Sequence, residues 1–272
     1  MPAWAGERGE TGYFASSIAG WYSQPDLKVS QVERQTGNGA FPVPERDVLY
    51  AARTVTLGVS MRAPSRDAMV ALVDGLLALE GRLVTMEVQD GTLATLATGY
   101  VRVEVGDGMH SCALSATVTV VCPDPRRYGT APSVGSMVVA SATSAGGLTY
   151  DGGKLRWPLS WGAQAPTANA CTVHNGGTST AHPTITVSGS MPGGFVLTDL
   201  SGGGQLEYAH PVTWQGVTLD CLGRTASVAG VDVTRHLTSR RFPTVAAGGS
   251  LTLSIQAAGT GAATVEVRDT YI

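Results

Sequence analysis

The sequence predicts a mainly β protein in two parts, with a single α-helix in the first part. Three observations carry this. Glycine accounts for 35 of the 272 residues, nearly twice the usual share of about 7%. Charged residues are only 14%, against roughly 25% in an average soluble chain. Short runs of alternating apolar and polar residues recur along the chain, separated by Gly, Pro, Asn and Ser, the pattern of strands and turns.

The first half, residues 1–129, opens its regular structure with Thr54–Met61, where Val55, Leu57, Val59 and Met61 share one face. Pro64-Ser65 then offers a helix N-cap, and Asp67 sits in the first turn, where a carboxylate meets the positive end of the helix dipole. Met69, Leu72, Val73, Leu76 and Leu77 follow helical spacing, and Gly81 is the expected stop. Leu83–Gln89 and Tyr100–Val105 read as strands, with Asp90-Gly91 as a turn signal between them. His110–Cys122 alternates for thirteen residues, placing Cys112, Leu114, Ala116, Val118 and Val120 on one side. Before all of these, Gln31–Tyr50 combines Gly37-Asn38-Gly39 with polar and charged neighbours and two prolines. It reads either as a long polar hairpin arm or as an ordinary loop.

The turn residues crowded between Pro123 and Gly153 place the junction there, giving an N-terminal unit 1–129, a linker 130–155 and a C-terminal unit 156–272. The charge balance changes at the same point: residues 1–129 hold 11 Lys/Arg and 14 Asp/Glu, and residues 130–272 hold 7 of each. The second part shows no sustained helical period. Its strand candidates are Ala170–Asn175, Thr184–Ser188, Phe195–Asp199, Val217–Asp220, Thr225–Val228, Ser250–Gln256 and Ala263–Arg268, which read as an antiparallel sandwich.

These features exclude several classes. Hydrophobic residues at 43% argue against disorder, and a net charge of -3 argues against a nucleic-acid binder with a basic face. The opening MPAWAGERGETGYF lacks the apolar core of a secretory signal, and no run reaches the ~18 apolar residues of a membrane helix. Cys112, Cys122, Cys171 and Cys221 form no C-x-x-C pair and are expected to be buried thiols rather than a disulfide frame.

Catalytic and cofactor motifs fail on inspection. Gly153-Lys154 is followed by Leu155 and lacks the leading glycine of a phosphate loop. There is no nucleophile elbow or zinc helix. His110, His174, His182, His210 and His236 are scattered. His110 and Cys112 lie on one strand face, but Cys122 falls about 33 Å from Cys112 at strand rise, too far for a shared metal. Asp151, Asp199, Glu207, Asp220, Asp232, Glu266 and Asp269 form no marked pair for glycoside hydrolysis, and several sit where Asp caps turns. No catalytic, cofactor-binding or metal-binding residue is therefore expected. Trp157, Trp161, Tyr208 and Trp214 would make a sugar-stacking platform if exposed together. Their other reading is core packing.

Several segments carry a resemblance to a known family. The run Cys122-Pro123-Asp124-Pro125-Arg126-Arg127-Tyr128-Gly129 resembles the inter-domain junction of distal tail proteins of long-tailed bacteriophages. Asn175-Gly176-Gly177-Thr178 through Gly189 is similar to a strand pair of that family. So are Asp232–Leu237, Arg241-Phe242-Pro243 and Ala247–Leu251. Val265–Tyr271 resembles its final strand, although Val267 stands near the place of the usual tryptophan. The likeness covers most of residues 120–272 and rests on element order alone in the first half. It implies an N-terminal β-sandwich or barrel that builds a homohexameric ring, with a hairpin reaching the next subunit, and a galectin-like C-terminal β-sandwich facing outward. It also implies a structural, non-enzymatic component of the virion tail tip, assembled in the host cytoplasm. Such a ring joins the tail tube protein to the tail hub and, in some phages, to receptor-binding proteins. DNA passes through it without specific binding, and no membrane insertion is implied. The competing reading is a carbohydrate-binding module of a two-domain adhesin.

Overall fold

The computed structural model describes residues 11–28, 32–44, 48–107, 112–139 and 169–272. Two compact units divide the chain, one comprising Met1–Tyr128 with Ile272 and the other Gly129–Tyr271.

In the first unit, β1 (Gly12–Ala19), β2 (Arg53–Arg62), β3 (Leu83–Asp90), β4 (Leu93–Val105) and β5 (Ala113–Cys122) form an antiparallel sheet in the order β1-β2-β5-β4-β3. Among the described residues of this unit the sheet does not close on itself, so of the sandwich and barrel arrangements the closed barrel is not formed by them. The expected helix is α1 (Arg66–Leu77). Its N-cap is Ser65, in extended geometry, whose hydroxyl accepts from the Ala68 amide at 3.3 Å. Met69 and Leu76 are fully buried and Leu72 and Val73 pack at the same core, but Leu77 lies outside the stripe and is exposed. The helix ends four residues before Gly81, through two tight turns in which Leu79 and Glu80 donate to Leu76 and Leu77. Gly81, at φ +70, then turns the chain so that its amide donates to Val101 on β4 at 2.9 Å.

The alternation read on β2 and β5 holds in large part: Val55, Val59 and Met61 are buried, as are Ala116, Val118, Val120 and Cys122, with Leu57 and Leu114 half-buried, and β5 begins at Ala113 rather than at His110. Strand β4 begins seven residues earlier than the sequence reading, because Leu93–Gly99 continues the Asp90-Gly91 hairpin in register with β3. Cys112 is exposed and so departs from the buried-thiol expectation.

The second unit is a two-sheet sandwich. One sheet holds β6 (Arg127–Val138), β8 (Thr184–Ser190), β11 (Val217–Asp220), β12 (Thr225–Val228), β13 (Val231–Asp232) and β16 (Thr260–Tyr271), in the order β6-β16-β8-β11-β12-β13. The other holds β7 (Ala170–His174), β9 (Phe195–Asp199), β10 (Gln205–Tyr208), β14 (Leu237–Arg240) and β15 (Ser250–Ala257), in the order β14-β10-β9-β15-β7. Period-two positions fill the space between them: Ile185 and Val187, Leu219, Val265 and Val267 from the first sheet, and Val173, Phe195, Leu197, Leu253 and Ile255 from the second.

All seven strand candidates of the second part appear. Part of the expected linker does not: residues up to Val138 form β6 instead. Gly129, Pro132 and Gly135 were read as turn residues but lie inside this strand. Arg268 ties it to β16, donating from Nη1 to the Gly129 and Thr130 carbonyls at 3.0 and 2.8 Å. The rest of the linker reading, residues 140–155, lies outside the described residues.

Candidate functional site

The segment between β1 and β2 has the geometry of a hairpin arm. Its neck is closed by Lys28 N–H donating to Leu49 and Ala51 N–H donating to Asp26, both at 2.7 Å, around a Leu27–Tyr50 bridge. Its outer end is closed by Arg34 N–H to Gly39 and Phe41 N–H to Val32, both at 3.0 Å, around a Glu33–Ala40 bridge. The turn between them contains Gly37 and Asn38, as the sequence indicated. Residues 29–31 and 45–47 lie outside the described residues.

The arm is less polar on its surface than its composition implied. Leu27, Val32, Phe41 and Leu49 all lie at least 57% exposed along it. Arg34 holds its guanidinium 5.7 Å over the Phe41 ring. Four large apolar side chains on one excursion mark a surface that gains by being covered.

The root of the arm is fixed by Arg53, which is almost wholly buried. Its Nη1 donates to the carbonyls of Gly20, Trp21 and Ser23 at 2.8, 3.0 and 2.7 Å, and its Nε to Pro125 at 2.8 Å. Arg53 therefore stands two residues beyond the returning limb of the arm and grips the segment that leads into the outgoing one. Burial pulls its pKa below the usual guanidinium value, and the nearby Arg127 charge adds to the effect. The Arg127 guanidinium stacks 5.5 Å from Trp21 and 6.0 Å from Tyr22, and Tyr22 donates its hydroxyl to Asp90 at 2.9 Å. The sequence reading missed Arg53. A charged residue at the start of an apolar strand was its only trace.

The proposed aromatic platform is not assembled by Tyr208. That residue is buried and stacks on Phe195 with ring centroids 5.5 Å apart. Trp214 stands 84% exposed, and Trp157 and Trp161 lie outside the described residues.

His210 and His236 bring their rings to 4.3 Å, an association the scattered positions hid. Partial desolvation and the His210 and Arg235 charges lower the His236 pKa. His174 sits apart, with Nδ1 3.2 Å from Ser250 Oγ, and His110 is outside the described residues. Among the described residues no group of three His, Cys, Asp or Glu side chains is placed to hold a metal ion.

Several of the carboxylates serve the backbone. Asp199 accepts from the Ser201 and Gly202 amides, Asp220 from Leu222, and Asp232 from Thr234. Burial raises the thiol pKa of Cys122 and Cys171. Burial, reinforced by Asp220, pushes Cys221 up to about 12.

No family model and no curated protein matches the sequence. Solved structures do. The SPP1 Dit protein, described as a paradigm of the hub adsorption apparatus in phages infecting Gram-positive bacteria, matches over 96% of this chain and 94% of its own, with a TM-score of 0.61 at 13% identity. Structures of the phage P2 baseplate in its activated conformation, with Ca or Sr, match over 94% of this chain and 90% of theirs, with TM-scores of 0.52 and 0.50 at 8% identity. The chain thus has a Dit-like fold along nearly its whole length.

Proposed function

We propose that this chain is a structural subunit of a phage tail tip, of the distal tail type, that assembles as a homohexameric ring. The observation that carries the reading is the near full-length likeness to a hub protein, joined to an anchored arm that displays apolar side chains in the N-terminal unit. In this reading residues 1–129 build the ring, the arm lies against the next subunit, and the sandwich faces outward. The ring joins the tail tube protein to the hub and the receptor-binding apparatus, and DNA passes through it without specific contacts. The protein does no catalysis. It assembles in the host cytoplasm and works in the virion.

The physics supports the same assignment. Leu27, Val32, Phe41 and Leu49 are costly to leave in water, and a neighbouring copy in a closed ring removes them from it without leaving an open end. The test is the absolute mass of the purified chain by light scattering, with negative-stain images. A particle six times the chain mass with a central hole is the expected result. A monomer at high concentration, both alone and with tail tube protein added, overturns it. The adhesin reading keeps one observation, the exposure of Trp214, and loses Tyr208 from its platform.

A further inference from the structure

We propose that the C-terminal unit carries a binding pocket for a phosphorylated sugar, centred on Arg224, Arg240 and Arg241. A cavity of about 360 Å³ opens between the two sheets of the sandwich. The β9–β10 turn and the end of β14 line it from one sheet, and the β11–β12 turn from the other. That volume matches the lower range of small-ligand sites.

The unit is poor in charge, with only seven Lys/Arg in residues 130–272, yet three of them line this one pocket. None of the three forms an ion pair among the described residues. The one carboxylate in the lining, Asp199, already accepts two backbone amides of its own turn through Oδ1. The lining therefore carries three arginine charges against one carboxylate and is net positive.

Arginine forks match phosphate oxygens in geometry as well as in charge. Three of them suit a dianion better than a single carboxylate. Phe242, half-buried against the sandwich core, supplies an apolar edge beside the cations, against which the face of a sugar ring would rest. Arg224 adds a separate sign. It holds φ +54, a left-handed geometry disfavoured for a residue with a Cβ, while Gly223 lies next to it. A glycine there would be easier to fold, so the side chain at 224 carries a cost in backbone strain. This site is independent of ring assembly and of Trp214.

The experiment is calorimetric titration of the full-length protein at low salt with glucose 6-phosphate, glucose, inorganic phosphate and a tri-glutamate peptide. Glucose 6-phosphate is expected to bind, inorganic phosphate about tenfold more weakly, and glucose and the peptide not at all within about 10 mM. Arg241→Gln and Arg224→Gly each weaken glucose 6-phosphate binding about tenfold, while Arg102→Gln in the other unit leaves it unchanged. Arg224→Gly is the decisive variant, because it relieves backbone strain and so melts no lower than the parent while losing affinity. Four outcomes overturn the proposal. These are no heat with glucose 6-phosphate, equal affinity in the arginine variants, equal affinity for inorganic phosphate, and preference for the tri-glutamate peptide. The last would assign the pocket to an acidic protein segment.

Discussion

Asn175 and Thr270, 95 positions apart, meet where Asn175 Oδ1 accepts the Thr270 amide at 3.1 Å inside the C-terminal core. The same oxygen accepts the Gly177 amide, and Nδ2 donates to the carbonyls of Ser179, Val245 and Ala246. Asn175 is completely buried, and its amide pins three separate segments together. Asn175→Ala strands the Gly177 and Thr270 amides and takes the donor from the Ser179 carbonyl, while the Val245 and Ala246 carbonyls keep the Ala181 and Gly249 amides, so it should cost about 3 kcal/mol in urea unfolding of the full chain. Gly177→Ala should cost about 2 kcal/mol for a different reason, since its Cβ would stand 2.1 Å from the Thr270 carbonyl oxygen. Equal midpoints for parent and variants would contradict both.

Arg53 makes a second prediction of this kind. Arg53→Met leaves four carbonyls without their shared donor and should destabilise the N-terminal unit by about 3 kcal/mol. Arg53→Lys recovers only part of this, because a single ammonium lacks the fork that reaches Pro125 and Ser23 together. Hydrogen exchange is the measurement. Amides of the arm neck, Lys28 and Ala51, should lose protection in Arg53→Met before those of β5 do. Uniform loss across the unit would remove the anchoring role.

Thiol reactivity follows exposure and pKa. The thiolate is the attacking form, and burial with the Asp220 charge pushes Cys221 up to about 12. Cys122 is also buried and its thiol is raised. At about pH 8 a thiol reagent should therefore label exposed Cys112 first and Cys171 slowly, and should reach Cys122 and Cys221 only on unfolding. Peptide mass mapping after short labelling checks the order, and early labelling at Cys221 would contradict the packing given for it.

Tyr128 predicts a loss of stability in alkali. Burial, and then its hydrogen bond to Asp124, raise its pKa from 10.0 to about 12. The folded state holds the proton more tightly than the unfolded state does. The contribution is therefore complete below pH 10 and is lost as pH rises from 10 through about 12. Tyr128→Phe cannot ionise. Its stability relative to the parent should therefore improve across that window and stay constant below it, as read from urea midpoints. A constant difference at every pH would show that the phenol is not held in its neutral form.

The sequence made the β class, the helix and most of the sandwich legible because each depends on local periodicity. Ser65, Met69 and Leu76 announce the helix, and Ile185, Val187, Val265 and Val267 announce their strands. Strand β14 escaped because Leu237–Arg240 holds a single apolar residue and shows no period, whereas β10, with Leu206 and Tyr208 alternating as Val217 and Leu219 do in β11, was legible and passed over. Strand β6 escaped because its glycines and proline imitate a linker. The arm was visible as a polar interruption, but its exposed Leu27, Val32, Phe41 and Leu49 were not, since burial is a tertiary property. The pocket arginines were invisible for the same reason: Arg224 lies sixteen positions from Arg240, and only the sandwich brings them together.

The arm gives the most direct test of assembly. Lys28 and Leu49 are already joined across the neck by a 2.7 Å backbone hydrogen bond. A two-residue Asn-Gly turn inserted between them, in place of residues 29–48, would close the neck in a hairpin geometry that the chain already holds. The Arg53 contacts to Gly20, Trp21, Ser23 and Pro125 lie outside the deleted stretch, so the unit should fold with an unchanged melting temperature. The deletion removes Val32 and Phe41, two exposed apolar side chains that a neighbouring copy would cover. The expected result is a monomer by light scattering where the parent forms a closed oligomer. Phe41→Ser should weaken the oligomer without abolishing it, which separates loss of the surface from loss of the loop. An oligomer of parental mass from the shortened chain would place the subunit contact on the sheet rather than on the arm.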